Sequence, residues 1–441
     1  MEEPAMHHSR TGAPGKARRW PAVVAVVCVL AVLAAAVYWW AVARPSQEPS
    51  VPPSASAPAG GDDETQNGED PAGTDDDTAP VDEDADKEPI PEPDDNSPQA
   101  KAQCAVEAMS IEERVGQLVM APLYAGTDPS ALYDLIANQH VGSVLIIGNW
   151  WSGTDGVRQA TDALQSYAPE NNRLLMTTDQ EGGLVQHLQG PGFDSMPTAL
   201  DQGMMSTEAL RQSASVWGSQ LNQAGINVDL APVVGTVTVD RNANAPIGAL
   251  YRDFGLDAQG NAEHAIAFID GMRDSGVQSV IKHFPGLGGV TGNTDFTASG
   301  ILDTTTTLDG PEVEAFITAL EADPAMVMMS LATYQQIDPD NPAAFSSTLI
   351  DGYLRDTIGY DGVITSDSLS AAALGAFEPR EIGVRFVEAG ADLACIGASE
   401  YVQPILDGLN ERAASDQAFA EKVTRSAIRV MTLKYEMGLA Q

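Results

Sequence analysis

The chain has 441 residues, a formal net charge of −39 at neutral pH and three cysteines. That length suits one large domain or two medium ones, and the acidity excludes a nucleic-acid partner, which needs clustered Lys and Arg against phosphate. With no C-x-x-C and no Cys/His ligand spacing, no structural zinc site is expected.

Residues 1–20 are a basic N-terminus carrying Arg10, Lys16, Arg18 and Arg19. The uncharged run Pro21–Ala43 is about as long as a bilayer is thick and ends near a Trp pair suited to the interface. It reads as a transmembrane signal anchor over 21–43, with the basic end in the cytoplasm and everything after Arg44 on the extracytoplasmic side. The "AVA" of residues 41–43 resembles a cleavage site, so secretion after cleavage behind Ala43 is the alternative. Residues 44–100 are rich in Pro, Ser, Gly and acid; between 45 and 100 stand 17 acidic residues and one lysine. Such a segment cannot bury enough apolar surface to fold, and its like charges extend it. It reads as a disordered tether between the membrane and a domain over 101–441.

From Lys101 onward the chain carries 43 acidic and 17 basic residues, and its texture is globular. Eight apolar runs read as strands: residues 117–123, 142–148, 174–179, 226–234, 277–283, 325–331, 362–367 and 391–397. Between them lie helical patterns such as residues 206–225 and 256–276, each closing on glycine. Near-continuous apolar strands alternating with helices imply buried parallel β-structure, and eight such units imply a single (β/α)8 TIM-type barrel, with a doubly wound open sheet as the other arrangement. Cys104 and Cys395 fall in this domain, either as one disulfide or as two free thiols.

In a barrel, chemistry sits at the C-terminal ends of the strands. Strand three runs into Asp179 and Glu181, strand five into Lys282 and His283, and strand seven into Asp367; the long loop after strand four carries Arg241 and Arg252. Carboxylates with one Lys, one Arg and one His, and no metal-ligand spacing, suit a neutral polyhydroxylated ligand held by charge-assisted hydrogen bonds. Cleaving a glycosidic bond then needs a carboxylate to attack and an acid to protonate the leaving oxygen. There is no G-x-S-x-G and no H-E-x-x-H, and the glycines of "GLGGVTG" (286–292) are followed by a poor helix former, which argues against a nucleotide fingerprint. No cofactor is expected.

Ordered landmarks carry a resemblance: "IEERVGQLVM" (111–120), "TDQEGGLVQHL" (178–188), "INVDLAPVV" (226–234), "IGALYRDFG" (247–255), "IKHFPGLG" (281–288), the stretch 342–369 ending in "TSDSL", and "AGADLACIG" (389–397). The chain resembles glycoside hydrolase family 3, within it the single-domain bacterial β-N-acetylglucosaminidases, over roughly residues 104–438. The resemblance implies a retaining glycosidase acting on terminal β-linked N-acetylhexosamine in glycans or cell-wall fragments. It assigns Asp367 as the nucleophile, and Asp179, Arg252, Lys282 and His283 as holders of the sugar hydroxyls. The sequence also departs from the family pattern. Leu287 and Asp295 stand where histidines are usual, Asn293 where the aspartate of an Asp-His acid/base pair is usual, Leu184 where an arginine follows "EGG", and Gly235 where an aspartate follows "APVV". Either Asp295 is itself the acid/base, swung over the sugar by the loop's glycines, or the barrel is degenerate and binds glycan or cell wall without cleaving it. The expected partners are a carbohydrate and the cytoplasmic membrane, and the expected state is a monomer.

Overall fold

Each of the eight apolar runs forms a strand. The structure, a computed structural model, describes residues 96–441. The expected anchor over 21–43 and the acidic tether as far as residue 95 lie outside the described residues. No helix among the described residues is long and apolar enough to cross a membrane.

The strands are β1 (Val119–Tyr124), β2 (Ser143–Ile147), β3 (Leu175–Thr178), β4 (Val228–Asp229), β5 (Gln278–Phe284), β6 (Met326–Met329), β7 (Val363–Ser366) and β8 (Ala394–Cys395). They form one sheet in the order β7-β6-β5-β4-β3-β2-β1-β8, every pairing parallel. A parallel bridge between Thr365 and Leu393 joins the two outer strands, and Thr365 Oγ1 donates to the Leu393 carbonyl at 2.7 Å. That bridge turns the sheet into a nearly closed eight-stranded barrel of the (β/α)8 type, in place of an open sheet.

Side chains alternate across the strands. Met120, Leu145, Leu175, Val228, Val280, Met326 and Met328 fill the interior, while Ala121, Val144, Met176 and Val327 pack outward in the larger core. The two helical patterns expected from sequence are the helices Thr207–Gln223 and Ala258–Asp274. Gly225 and Gly276 follow them at φ 80° and 78°, the left-handed stop that glycine allows.

The lower end of the barrel is plugged. The last helix, Gln417–Glu436, sends Val430 and Leu433 into the interior cluster. Its Lys434 is fully buried and donates to Gln117 Oε1 at 2.8 Å and Asn172 Oδ1 at 2.9 Å. The helix Pro98–Ala108 packs on the same element. It starts inside the stretch read as tether, because Ser97 caps it by accepting the Ala100 N–H at 3.1 Å and Pro98 pre-sets its first turn. Cys104 is exposed on that helix and Cys395 is buried on β8; both are free thiols, so the disulfide alternative does not hold.

Candidate active site

The candidate residues meet at the upper ends of the strands. Asp179 follows β3, Lys282 and His283 lie in β5, and Asp367 follows β7. In a regular strand, Lys282 and His283 would point to opposite faces. The register against β6 shifts at this point, with Lys282 opposite Met328 and Phe284 opposite Met329. The extra residue lets both side chains serve the mouth, as bulges beside functional sites do. Glu181 sits on a small hairpin, Gln180–Gly182 paired with Val185–Gln186. Gly182 is obligatory there: it has φ 100°, and a Cβ would stand 2.2 Å from the Pro197 carbonyl oxygen.

Four of these groups form an ion cage. Lys282 Nζ lies 2.5 Å from Asp179 Oδ1 and 2.6 Å from Glu181 Oε1. Arg252 grips Glu181 with two parallel bonds, Nε to Oε2 at 2.9 Å and Nη2 to Oε1 at 2.7 Å, and donates from Nη1 to the Pro246 carbonyl at 2.9 Å. Burial alone would raise the Glu181 carboxyl, but Arg252 and Lys282 outweigh it and hold the group well below the usual carboxylate range. Burial alone would lower Lys282; Asp179 and Glu181 outweigh that and raise it. Glu181, Arg252 and Lys282 are therefore charged at neutral pH. His283 goes the other way: burial, with the charges of Arg252 and Lys282, pushes its pKa well down, and the ring is neutral.

Asp367 faces this cage. Its N–H donates to the Met329 carbonyl at 2.9 Å, its Oδ1 accepts the Ser368 N–H at 2.8 Å, and its Oδ2 lies 3.9 Å from His283 Nε2. Burial and then the charge of Asp295 push the Asp367 carboxyl up to about 7. Asp295 is accessible from the mouth yet walled in by protein. That enclosure raises its carboxyl, Arg252 opposing and Asp179 assisting. Both carboxyls are thus raised, each by burial first, and Asp367 by the charge of Asp295 as well.

The loop that carries Asp295 is docked. The Ala372 N–H donates to the Asp295 carbonyl at 3.3 Å, the Ala373 N–H to the Thr294 carbonyl at 3.0 Å, and Asn293 Oδ1 accepts the Asp295 N–H at 3.0 Å. The glycines read as a hinge are positions of close approach. A Cβ on Gly288 would stand 1.7 Å from the Thr236 carbonyl oxygen, and one on Gly292 2.0 Å from that of Ser299. Leu287 is buried in the core.

Arg241 stays outside the cage. It makes a bidentate pair with buried Asp253, at 2.6 and 2.7 Å, and braces the loop that presents Arg252. Asp229 was not singled out from sequence. It is fully buried on β4, its Oδ1 accepts the Gln180 N–H at 2.9 Å between Asp179 and Glu181, and burial raises its carboxyl to about 8. An acid inside the run "INVDLAPVV" is the signal that marks it, since a strand interior tolerates a carboxyl only with a partner.

A nearly closed parallel barrel whose mouth gathers carboxylates around one Lys and one Arg defines a class of sugar-processing enzyme. The glycosyl hydrolase family 3 N-terminal domain matches residues 110–433, and the chain belongs to that family. It is 31% identical over 340 residues to β-hexosaminidase LpqI of Mycobacterium tuberculosis, covering 74% of this chain and 83% of that one. Among solved structures, a β-N-acetylhexosaminidase from Beutenbergia cavernae superposes with a TM-score of 0.72 at 42% identity, covering 75% of this chain and 99% of that one. A family 3 β-N-acetylglucosaminidase from Paenibacillus gives 0.66 at 30% identity, over 75% of this chain and 63% of that one.

Proposed function

We propose that this chain is a retaining glycosidase that releases terminal β-linked N-acetylglucosamine through a covalent glycosyl-enzyme. The observation that carries the chemistry is that Asp367 and the docked loop of Asp295 meet at the upper ends of the strands beside a charged cage. The cage supplies carboxylate acceptors and cationic donors to sugar hydroxyls. Asp367, ionised, attacks the anomeric carbon, while Asp295, protonated, gives its proton to the leaving oxygen and then takes one from the attacking water. Arg252 and Lys282, the two cations of the cage, favour the ionised form of Asp367 during attack. The neutral His283, its Nε2 3.9 Å from Asp367 Oδ2, adds no charge beside the carboxylate. The relatives named above as β-hexosaminidases support the choice of sugar.

The same reading places the barrel outside the cytoplasmic membrane, carried by a single anchor over 21–43 and an acidic tether over roughly 44–95, acting on glycans or cell-wall fragments as a monomer. Its support is the hydropathy and charge of the N-terminal sequence.

Assaying the full chain with an aryl β-N-acetylglucosaminide tests the reading. Turnover is expected. Saturable sugar binding with no turnover at any pH would instead make the barrel a glycan-binding module. Asp295→Asn should slow substrates with poor leaving groups far more than activated ones, because only the former need the proton; equal slowing across leaving groups would remove Asp295 from the acid role.

A further inference from the structure

Asp179 stands at the point where β3 leaves the barrel. Up to Thr178 the strand is paired with β4, Thr178 opposite Asp229, and the Leu230 N–H donates to the Thr178 carbonyl at 2.8 Å. In a regular parallel ladder the next donor of β3, the Gln180 N–H, would meet the Leu230 carbonyl. It meets the side chain of Asp229 instead, at Oδ1 and 2.9 Å. The other side of the same peptide bond is held too: the Asp179 carbonyl accepts the His187 N–H at 3.3 Å. The ladder thus ends on a carboxyl, and the chain turns from there into the hairpin that carries Glu181.

Asp229 acts from behind the wall. Its neighbours Val228 and Leu230 both belong to the interior cluster, so the alternation of a strand puts the Asp229 side chain on the outer face of the sheet, away from the barrel interior. It is fully buried there, and its Oδ2 has no hydrogen-bond partner among the described residues. An orphaned buried oxygen costs stability, so packing alone gives no reason for a carboxyl at this place. Burial raises the group, Gln180 and Lys282 opposing and Asp179 and Glu181 assisting, and at neutral pH it adds no third negative charge beside Lys282. The two carboxylates of the cage depend on the Gln180 peptide unequally. Glu181 is gripped by Arg252 through two bonds besides its contact with Lys282. Among the described residues the Asp179 carboxylate has only Lys282 Nζ at 2.5 Å and His187 Nε2 at 4.0 Å as cationic neighbours. Its direction is therefore set by the backbone that bears it.

We infer that Asp229 is a positioning residue of the active site: its carboxyl fixes the peptide bond between Asp179 and Gln180 and thereby aims Asp179 at the sugar. The inference rests on the glycosidase reading above and adds to it a residue that the substrate does not touch. A group misplaced by about 1 Å can cost on the order of a hundredfold in rate, so a bond made behind the wall carries weight at the mouth.

A double-mutant cycle on kcat/KM with an aryl β-N-acetylglucosaminide, run on the full chain, tests this, because residues that act through one another are not additive. Asp229→Leu removes the acceptor and is expected to lower kcat/KM about thirtyfold, whereas Asp229→Asn, which keeps an oxygen for the Gln180 N–H, holds it within about threefold of the parent. With Asp179→Asn already in place, Asp229→Leu should cost about threefold or less. A merely structural role would cost the same factor in both backgrounds. The inference is overturned by a loss above about threefold in the Asp179→Asn background, by a loss below about threefold in the parent background, or by a loss above about threefold with Asp229→Asn. Should Asp229→Leu fail to fold, Asp229→Ala enters the cycle under the same bounds, and the Asp229→Asn result stands on its own. If the parent turns over no glycoside, the enzyme reading fails separately. The same cycle, read as N-acetylglucosamine affinity by calorimetry, then decides Asp229 by the same bounds.

Discussion

The barrel buries a lysine at each end, and the two are solved differently. At the mouth, Lys282 stands between two carboxylates, at 2.5 and 2.6 Å, and its pKa is raised. At the base, Lys434 has only the amide oxygens of Gln117 and Asn172, and burial lowers its pKa to about 7. A lysine that must stay charged needs counter-charges within reach, and in the proposed function those carboxylates also take the sugar's hydroxyls. A lysine that only fills the base of a barrel can do with neutral acceptors and give up its proton. The difference follows the two ends of the barrel, the mouth with its charged cage and the base plugged by the last helix.

The comparison can be broken most severely at the mouth. Asp367→Ala should remove turnover by several orders of magnitude, because the covalent step has no other attacking atom; residual activity near the parent level in a chromogenic assay would overturn the assignment. Lys282→Met leaves Glu181 and Asp179 short of a counter-charge, at a cost of about 3–5 kcal/mol in denaturant unfolding. Lys434→Met should cost at least about 2 kcal/mol less, since it strands no ion. Equal losses would erase the distinction between the ends.

Subtler effects sharpen it. The lowered pKa of Lys434 means that between about 7 and the unfolded value near 10.4 the folded chain has released a proton that the unfolded chain keeps. Stability from this group is therefore fully present above that window and lost as pH falls through about 7. Denaturant melts of the parent should show stability rising from pH 7 to 10, and Lys434→Met should flatten the rise. At the mouth, the Asp295 charge helps to raise Asp367. Asp295→Asn should then move the acid limb of kcat/KM on an activated aryl substrate to lower pH, by up to about one unit; a limb that stays put would mean the two carboxylates do not interact.

Much of this was legible in the sequence. The barrel followed from eight apolar runs, because a strand buried on both faces leaves a continuous hydrophobic signature. Asp179, Glu181, Lys282, His283 and Asp367 were findable as polar residues that continue such runs. Arg241 and Arg252 share one loop and one charge, and only tertiary pairing separates the brace on Asp253 from the clamp on Glu181. Asp229 was hidden inside a strand pattern, and its role depends on a backbone N–H contributed by Gln180 on another segment. The loop glycines were read as freedom to move, whereas their meaning is close contact with Thr236 and Ser299, residues distant in the chain or folded back upon it. The helix start at Ser97–Pro98 was masked by the acidic composition just before it.

The most direct test of the account is to trap the glycosyl-enzyme on the full chain. A 5-fluoro analogue of β-N-acetylglucosaminyl fluoride carries a good leaving group and slows the second step, so the sugar should accumulate on the protein. The account predicts a mass increase of one fluorosugar on the peptide containing Asp367, absent in Asp367→Ala. An adduct on a different carboxylate, or full turnover with no adduct and with Asp367→Ala still active, would contradict it.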